Sequence, residues 1–191
     1  MAKARATRAE FLRRYGGIYE HSPWVAEQAY EEVAAITDPD RLAEIFARHV
    51  NAAGEDKKLA LIRAHPDLAG KAAVGAHAEG NRPELEPRVA ADGHCGRPTT
   101  DEELTPASRQ EQQSAGIDQC TPEEYKQFHK LNRRYKDKFG FPFIMAVRNS
   151  NRHEILSAFT RRLENDPETE FAKALQEIHK IAKLRLHANA R

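Results

Sequence analysis

Asp38-Pro39-Asp40-Arg41-Leu42-Ala43-Glu44-Ile45-Phe46-Ala47-Arg48-His49-Val50 reads as a helix from its first residue. An aspartate at the capping position accepts from the unpaired N–H groups of a first turn. Proline suits the first helical position, where its missing N–H would have had no partner. Leu42, Ile45, Phe46 and Val50 then follow helical spacing, and Gly54 punctuates the end. The same pairing of a cap with proline recurs at Ser22-Pro23, Thr121-Pro122 and Asp166-Pro167. From these starts the spacing predicts helices over residues 121–135, 151–163 and 167–186, the first with Tyr125, Phe128, Leu131, Asn132 and Tyr135 on one stripe. A shorter helix over 55–64 has to stop at Ala64 or His65, because Pro66 disfavours helical geometry in the residue before it.

Between these helices, Phe139-Gly140-Phe141-Pro142-Phe143-Ile144-Met145-Ala146-Val147 is an apolar run that glycine and proline keep from being a regular helix, so it is expected as a buried, extended segment. Residues 74–103 are rich in Gly, Pro, Asn and Asp without an apolar period, and read as a long surface loop or insertion. No alternating pattern is sustained enough to imply a sheet. The fold class expected is all-α, a single-domain multi-helix bundle over residues 1–191.

Composition narrows the function. Hydrophobic residues make up 40% and charged residues 31%, the balance of a globular chain. Thirty basic against twenty-nine acidic residues leave a net charge of +1, which argues against nucleic acid or an anionic membrane as partner. Cys95 and Cys120 are too few for a disulfide framework and lack zinc-finger spacing. Residues 1–14 are basic and polar with no apolar core, no stretch has membrane-spanning length, and Ala188 to Arg191 match no targeting tail, so the expected location is the cytoplasm.

Three residues could carry chemistry. His65, in Ala64-His65-Pro66-Asp67-Leu68, stands at a helix-to-turn junction from which an imidazole can enter a cleft; a cap or surface histidine is the plainer alternative. Glu111 stands three residues after Ser108, the spacing of a capping box, in which the glutamate only returns to the backbone. The same spacing also lets Ser108, Glu111 and Gln112 gather around a helix N-terminus and read a ureido or imidazolone edge. Arg185 continues the apolar stripe of Phe171, Ala174, Leu175, Ile178 and Ile181, as Arg162 does beside Ile155 and Phe159. A guanidinium directed at a core needs a buried carboxylate, an anionic ligand, or a route for its head to solvent. A zinc set from His77, His94, Cys95 and Cys120 fits no ligand spacing, so no metal site is expected.

Ordered along the chain, Tyr19-Glu20-His21-Ser22-Pro23-Trp24-Val25-Ala26-Glu27, Ala64-His65-Pro66-Asp67-Leu68-Ala69-Gly70, Ser108-Arg109-Gln110-Glu111-Gln112-Gln113-Ser114-Ala115-Gly116, Leu131-Asn132-Arg133-Arg134-Tyr135, Lys138-Phe139-Gly140-Phe141-Pro142-Phe143-Ile144 and Arg162-Leu163-Glu164-Asn165 resemble the 2-oxo-4-hydroxy-4-carboxy-5-ureidoimidazoline (OHCU) decarboxylases of urate breakdown. The resemblance implies a carboxy-lyase that turns OHCU into (S)-allantoin and CO2, all-helical, homodimeric, and without metal or organic cofactor. It implies that His65 and Glu111 are catalytic. Pro66, Ser108, Gln112, the backbone from Phe143 through Ile144, Met145 and Ala146 to Val147, and Arg185 would bind substrate. The connection after Gly70 is longer than such a chain is expected to need. The mechanism expected has His65 orienting the scissile bond and supplying or relaying a proton, Glu111 and Gln112 holding the ureido group, backbone N–H groups of the apolar segment receiving charge, and Arg185 offsetting the anion. The competing expectation is a helical binding or scaffold protein that keeps the fold without the activity.

Overall fold

A computed structural model of the chain describes residues 6–33, 35–70 and 104–190. The loop expected over residues 74–103, and with it His77, His94 and Cys95, lies outside the described residues. Among those described there are eight α-helices and no strand, so the chain is all-α. The helices are α1 (Arg8–Tyr15), α2 (Trp24–Val33), α3 (Pro39–Ala52), α4 (Glu55–Arg63), α5 (Pro106–Ser114), α6 (Pro122–Phe139), α7 (Arg152–Arg162) and α8 (Pro167–Asn189), with a short 3-10 turn at Ile117–Gln119.

The caps act as their chemistry dictates. Asp38, Thr121 and Asp166 each accept from a backbone N–H in the first turn of the helix that follows. Two starts go beyond the sequence reading. Thr7 and Glu10 form a capping box on α1, and Thr105 caps α5 ahead of Pro106, accepting from Ser108 N–H at 3.2 Å. The second corrects an expectation: Ser108 lies inside the helix and caps nothing, and Glu111 is a turn further on, so neither stands at a free N-terminus. Helix α2 begins at Trp24, one residue past the Ser22-Pro23 pair. Helix α6 runs on to Phe139 and ends at Gly140, whose φ of +74° is the left-handed cap that glycine adopts without steric cost.

Long α8 is the spine. It packs along α3, α3 on α2 and α2 on α1, while α4 and α6 meet α8 elsewhere along its length. One part of the core is aromatic, around Phe11, Tyr15, Tyr19 and Phe46. Trp24, half-buried at the start of α2, lies 5.3 Å from the Lys57 ammonium of α4, measured to the ring centre. A second aromatic group holds the expected extended segment: Phe143 stacks on Phe159 at 3.9 Å, and Tyr135 meets Phe143 edge-on at 5.3 Å. That segment carries no regular structure, with Phe141, Phe143, Ile144 and Val147 buried.

Candidate active site

Helix α4 ends at Arg63, and His65 still bonds back to it, its N–H donating to Ile62 O at 3.2 Å before Pro66 turns the chain. The imidazole points inward, 5% exposed, with Nδ1 3.0 Å from Leu61 O. A carbonyl only accepts, so Nδ1 carries the hydrogen, and Nε2 of the neutral ring keeps a lone pair. Burial pulls the ring's pKa down to about 4, against the upward pull of the Leu61 carbonyl and of the nearby Glu20 charge. His65 is therefore a neutral acceptor at pH 7.

The turn after His65 is pinned from two helices. Asn132 of α6 donates to Leu68 O at 2.8 Å, and Lys136 pairs with Asp67 at 2.6 Å. From α5, the Gln112 amide oxygen accepts Ala69 N–H at 3.1 Å and its nitrogen donates to Asp67 O at 3.4 Å. These contacts hold Ala69 at a φ of +54°, a conformation that costs a residue with a Cβ about 1 kcal/mol or more. Both ends of the Gln112 amide thus serve this backbone, while its nitrogen carries a second N–H donor and the residue still lines the cleft.

Arg185 reaches the site from α8 and uses all five of its N–H donors. Nε and Nη2 grip the two oxygens of Glu111, each at 2.9 Å, and Nη2 also donates to Ser108 Oγ at 3.0 Å. Nη1 donates to Glu20 at 2.8 Å and to Ile18 O at 3.3 Å. The other Glu20 oxygen accepts from the Thr105 hydroxyl at 2.7 Å. Burial raises the Glu20 carboxyl's pKa, but Arg185 and Thr105 outweigh it and hold the group below the usual carboxylate range. For Arg185, burial is likewise outweighed by Glu111 and Glu20, which strengthen its positive charge.

The segment after α6 forms the facing wall, held by two charged clamps. Arg162 Nη1 donates to Ile144 O at 2.6 Å, and its guanidinium lies over the Phe143 ring at 4.4 Å. Glu170, fully buried, accepts Arg162 Nε at 2.8 Å and Asn165 Nδ2 at 2.7 Å, and takes the Tyr135 hydroxyl as well. On the other side Glu177 accepts Ala146 N–H at 3.0 Å. That bond removes Ala146 from the donors expected to face a ligand.

Between these walls runs one cleft. His65, Pro66, Ser108, Glu111, Gln112 and Arg185 line one side of it, and Phe143, Ile144, Met145 and Val147 the other. Ala146 is the one expected binding residue that does not reach it, while Leu68 and Ile181 complete the lining. The cleft holds about 350 Å³ of free space, its open mouth included. Glu20, Thr105, Glu170 and Glu177 are site residues that sequence reasoning did not single out. Only Thr105 carried a local signal, since Thr105-Pro106 repeats the cap–proline pair seen elsewhere. Among the described residues no cluster of three or more His, Cys, Asp or Glu side chains is placed to hold a metal ion.

The model of one family, OHCU decarboxylase, matches residues 4–187. The chain belongs to that family. A relative from Haloferax volcanii named 2-oxo-4-hydroxy-4-carboxy-5-ureidoimidazoline decarboxylase is 39% identical over 176 residues, covering 92% of this chain and 86% of its own. Among solved structures, an (S)-allantoin synthase is similar at a TM-score of 0.66 and 32% identity, covering 96% of this chain and 51% of that one. An OHCU decarboxylase crystallised in the presence of (S)-allantoin has a TM-score of 0.62 at 20% identity, covering 92% and 96%, and shares the fold. The histidine, the carboxylates and the arginine of the site all come from segments inside the matched span.

Proposed function

We propose that the chain decarboxylates OHCU to (S)-allantoin and CO2 in the cleft of His65, Glu111 and Arg185. The observation that carries the reading is the convergence on one hollow of a neutral imidazole, its Nδ1 on the Leu61 carbonyl, and a guanidinium–carboxylate pair, in a chain 39% identical to a named OHCU decarboxylase.

The substrate's name puts hydroxyl and carboxyl on one ring carbon and the ureido group on the next. When the C–C bond to the carboxylate breaks, its electron pair passes into the neighbouring C=N of the ring, which takes a proton from water on nitrogen. The ring is its own electron sink. The remaining enol becomes the product by losing its hydroxyl proton and gaining one on the ureido-bearing carbon. His65 Nε2 is placed to accept the first and return it from one face, which makes a single enantiomer. Arg185 faces the departing carboxylate, Glu111 accepts from ureido N–H groups, and Pro66, Ile144, Met145 and Val147 confine the ring. The same reading takes residues 1–191 as one domain, working in the cytoplasm as a homodimer, and sedimentation as a monomer at working concentration contradicts the last part.

The test feeds freshly generated OHCU to the protein and follows the optical activity of the allantoin formed. The parent protein accelerates the reaction and yields one enantiomer, and His65→Ala slows it by about 10²- to 10⁴-fold. A parent rate equal to that in buffer overturns the reading. A scaffold without activity is not favoured, because it calls for scattered motifs, whereas the motif residues here line one cleft in a chain 39% identical to a named OHCU decarboxylase.

A further inference from the structure

We infer that Glu20 is a positioning residue for this reaction: it is the permanent counter-ion of Arg185, and it leaves Glu111 as the carboxylate that exchanges its Arg185 bonds for substrate. The inference rests on the decarboxylase reading and adds a residue to it.

The two carboxylates on Arg185 are not equivalent. The Glu20 side chain is 0% exposed, has each oxygen held by a different protein donor, and does not line the cleft. Glu111 is 17% exposed, lines the cleft, and has both oxygens on the arginine. With every Arg185 N–H occupied, an incoming carboxylate reaches the guanidinium only by displacing a partner. The displaceable one is Glu111, whose departure opens the Nε–Nη2 edge, the geometry that receives a carboxylate in parallel bonds. Nη1 stays on Glu20 and Ile18 O, so the edge opens without the guanidinium losing its orientation. Released Glu111 then meets donors on the ureido group. Without Glu20, the same exchange would leave Arg185 with no ionic partner from the protein and free to follow Glu111 or the ligand.

Glu20 has a second effect. His65 is faced by Glu20 and His21 from the α1–α2 connection and by Arg185 from α8, with Glu111 of α5 on the same side of the cleft; among the described residues the facing wall contributes the uncharged Phe143, Ile144, Met145 and Val147. In this set the Glu20 charge favours the imidazolium that forms when Nε2 takes the substrate's proton, while Arg185 and His21 oppose it.

Glu20→Gln keeps shape and an acceptor for Arg185 but removes the charge, and Glu20→Asp keeps the charge. Each is assayed with fresh OHCU from pH 3.5 to 8, with circular dichroism to fix the folded fraction and NMR to titrate the His65 ring. For Glu20→Gln, kcat/KM per folded molecule is expected to fall roughly tenfold or more, and the acid limb and the His65 titration to move to lower pH. Glu20→Asp is expected to lose activity in part while its limb stays at the parent position. A Glu20→Gln protein within about twofold of the parent, or one whose loss tracks only its unfolded fraction with an unmoved limb, overturns the inference. Should Glu20→Gln not fold, Thr105→Val strips one of Glu20's bonds and is expected to lower kcat/KM per folded molecule about threefold or more; parent-like activity there overturns it instead. A parent protein without acceleration removes the functional reading itself, and this inference with it.

Discussion

The nitrogen of His65 that Leu61 O does not hold decides which proton the ring can move first. With Nδ1–H held by Leu61 O and the ring's pKa near 4, Nε2 of the neutral ring is available as a base for the proposed reaction. Of the two expected roles, supplying a proton or relaying one, a neutral ring fits the relay, in which it accepts and then returns. A pH–rate profile checks this: kcat/KM is expected to be level from about pH 5.5 to 8 and to fall as pH drops through about 4, because only the neutral ring accepts. A limb that falls on the alkaline side of pH 6 means that the imidazolium is the working form. His65 itself was legible from Pro66, which forces a junction there, and Arg185 from its place on an apolar stripe. The partners that fix their chemistry were not. Glu20 sits in an irregular connection far along the chain from Arg185, and no local spacing encodes that meeting. Gln112 lines the cleft and Ala146 does not, and which of their hydrogen bonds remain open depends on Asp67, Ala69 and Glu177, all set by tertiary packing.

At the level of elements, the caps were largely readable because capping is local chemistry. Asp38, Thr121 and Asp166 each precede a proline, and the helices start where that pairing says. Thr105-Pro106 carries a weaker signal because it adjoins a stretch with no apolar period, and Ser108 with Glu111 has the spacing of a competing box. The irregular wall after α6 was legible as buried, from its apolar run broken by Gly140 and Pro142. What holds it was visible only as an arginine on the wrong face of α7. Arg162 joins α7 to the wall through Ile144 O and to α8 through Glu170. Arg162→Met leaves the Glu170 carboxylate buried without its counter-charge and is expected to destabilise the protein by about 3 to 5 kcal/mol in urea unfolding. Replacing Glu170 by Met in the same chain is expected to recover a large share of that loss, since two apolar groups leave no stranded charge. A double variant no more stable than the single one contradicts the pairing.

Across the whole molecule, buried titratable groups tie stability to acidity. Burial holds His65 near 4 and lowers His179, so the folded chain binds fewer protons than the unfolded one as pH falls below about 6.5. Their contribution is complete above that value and is lost on the way down. Burial works to raise Glu20 and Glu177, but Arg185 on the first and Lys180 with the Ala146 N–H on the second outweigh it, and their stabilisation disappears as pH falls below about 4.5. The expected thermal midpoint is level above pH 6.5 and declines in two overlapping steps below it, as followed by calorimetry; a midpoint unchanged between pH 7 and 5 contradicts the buried, neutral state of the histidines. The all-α architecture was read from periodicity alone, whereas the packing order around α8 was not, because it joins residues distant in sequence. The contact between α2 and α4 gives the molecule a built-in reporter. Trp24 is the chain's one indole, and it lies under the Lys57 ammonium on the helix that ends just before His65. Its emission therefore registers any shift of that helix relative to α2, so a ligand settling beside the imidazole can be followed by the colour and quenching of a single fluorophore, with no label attached.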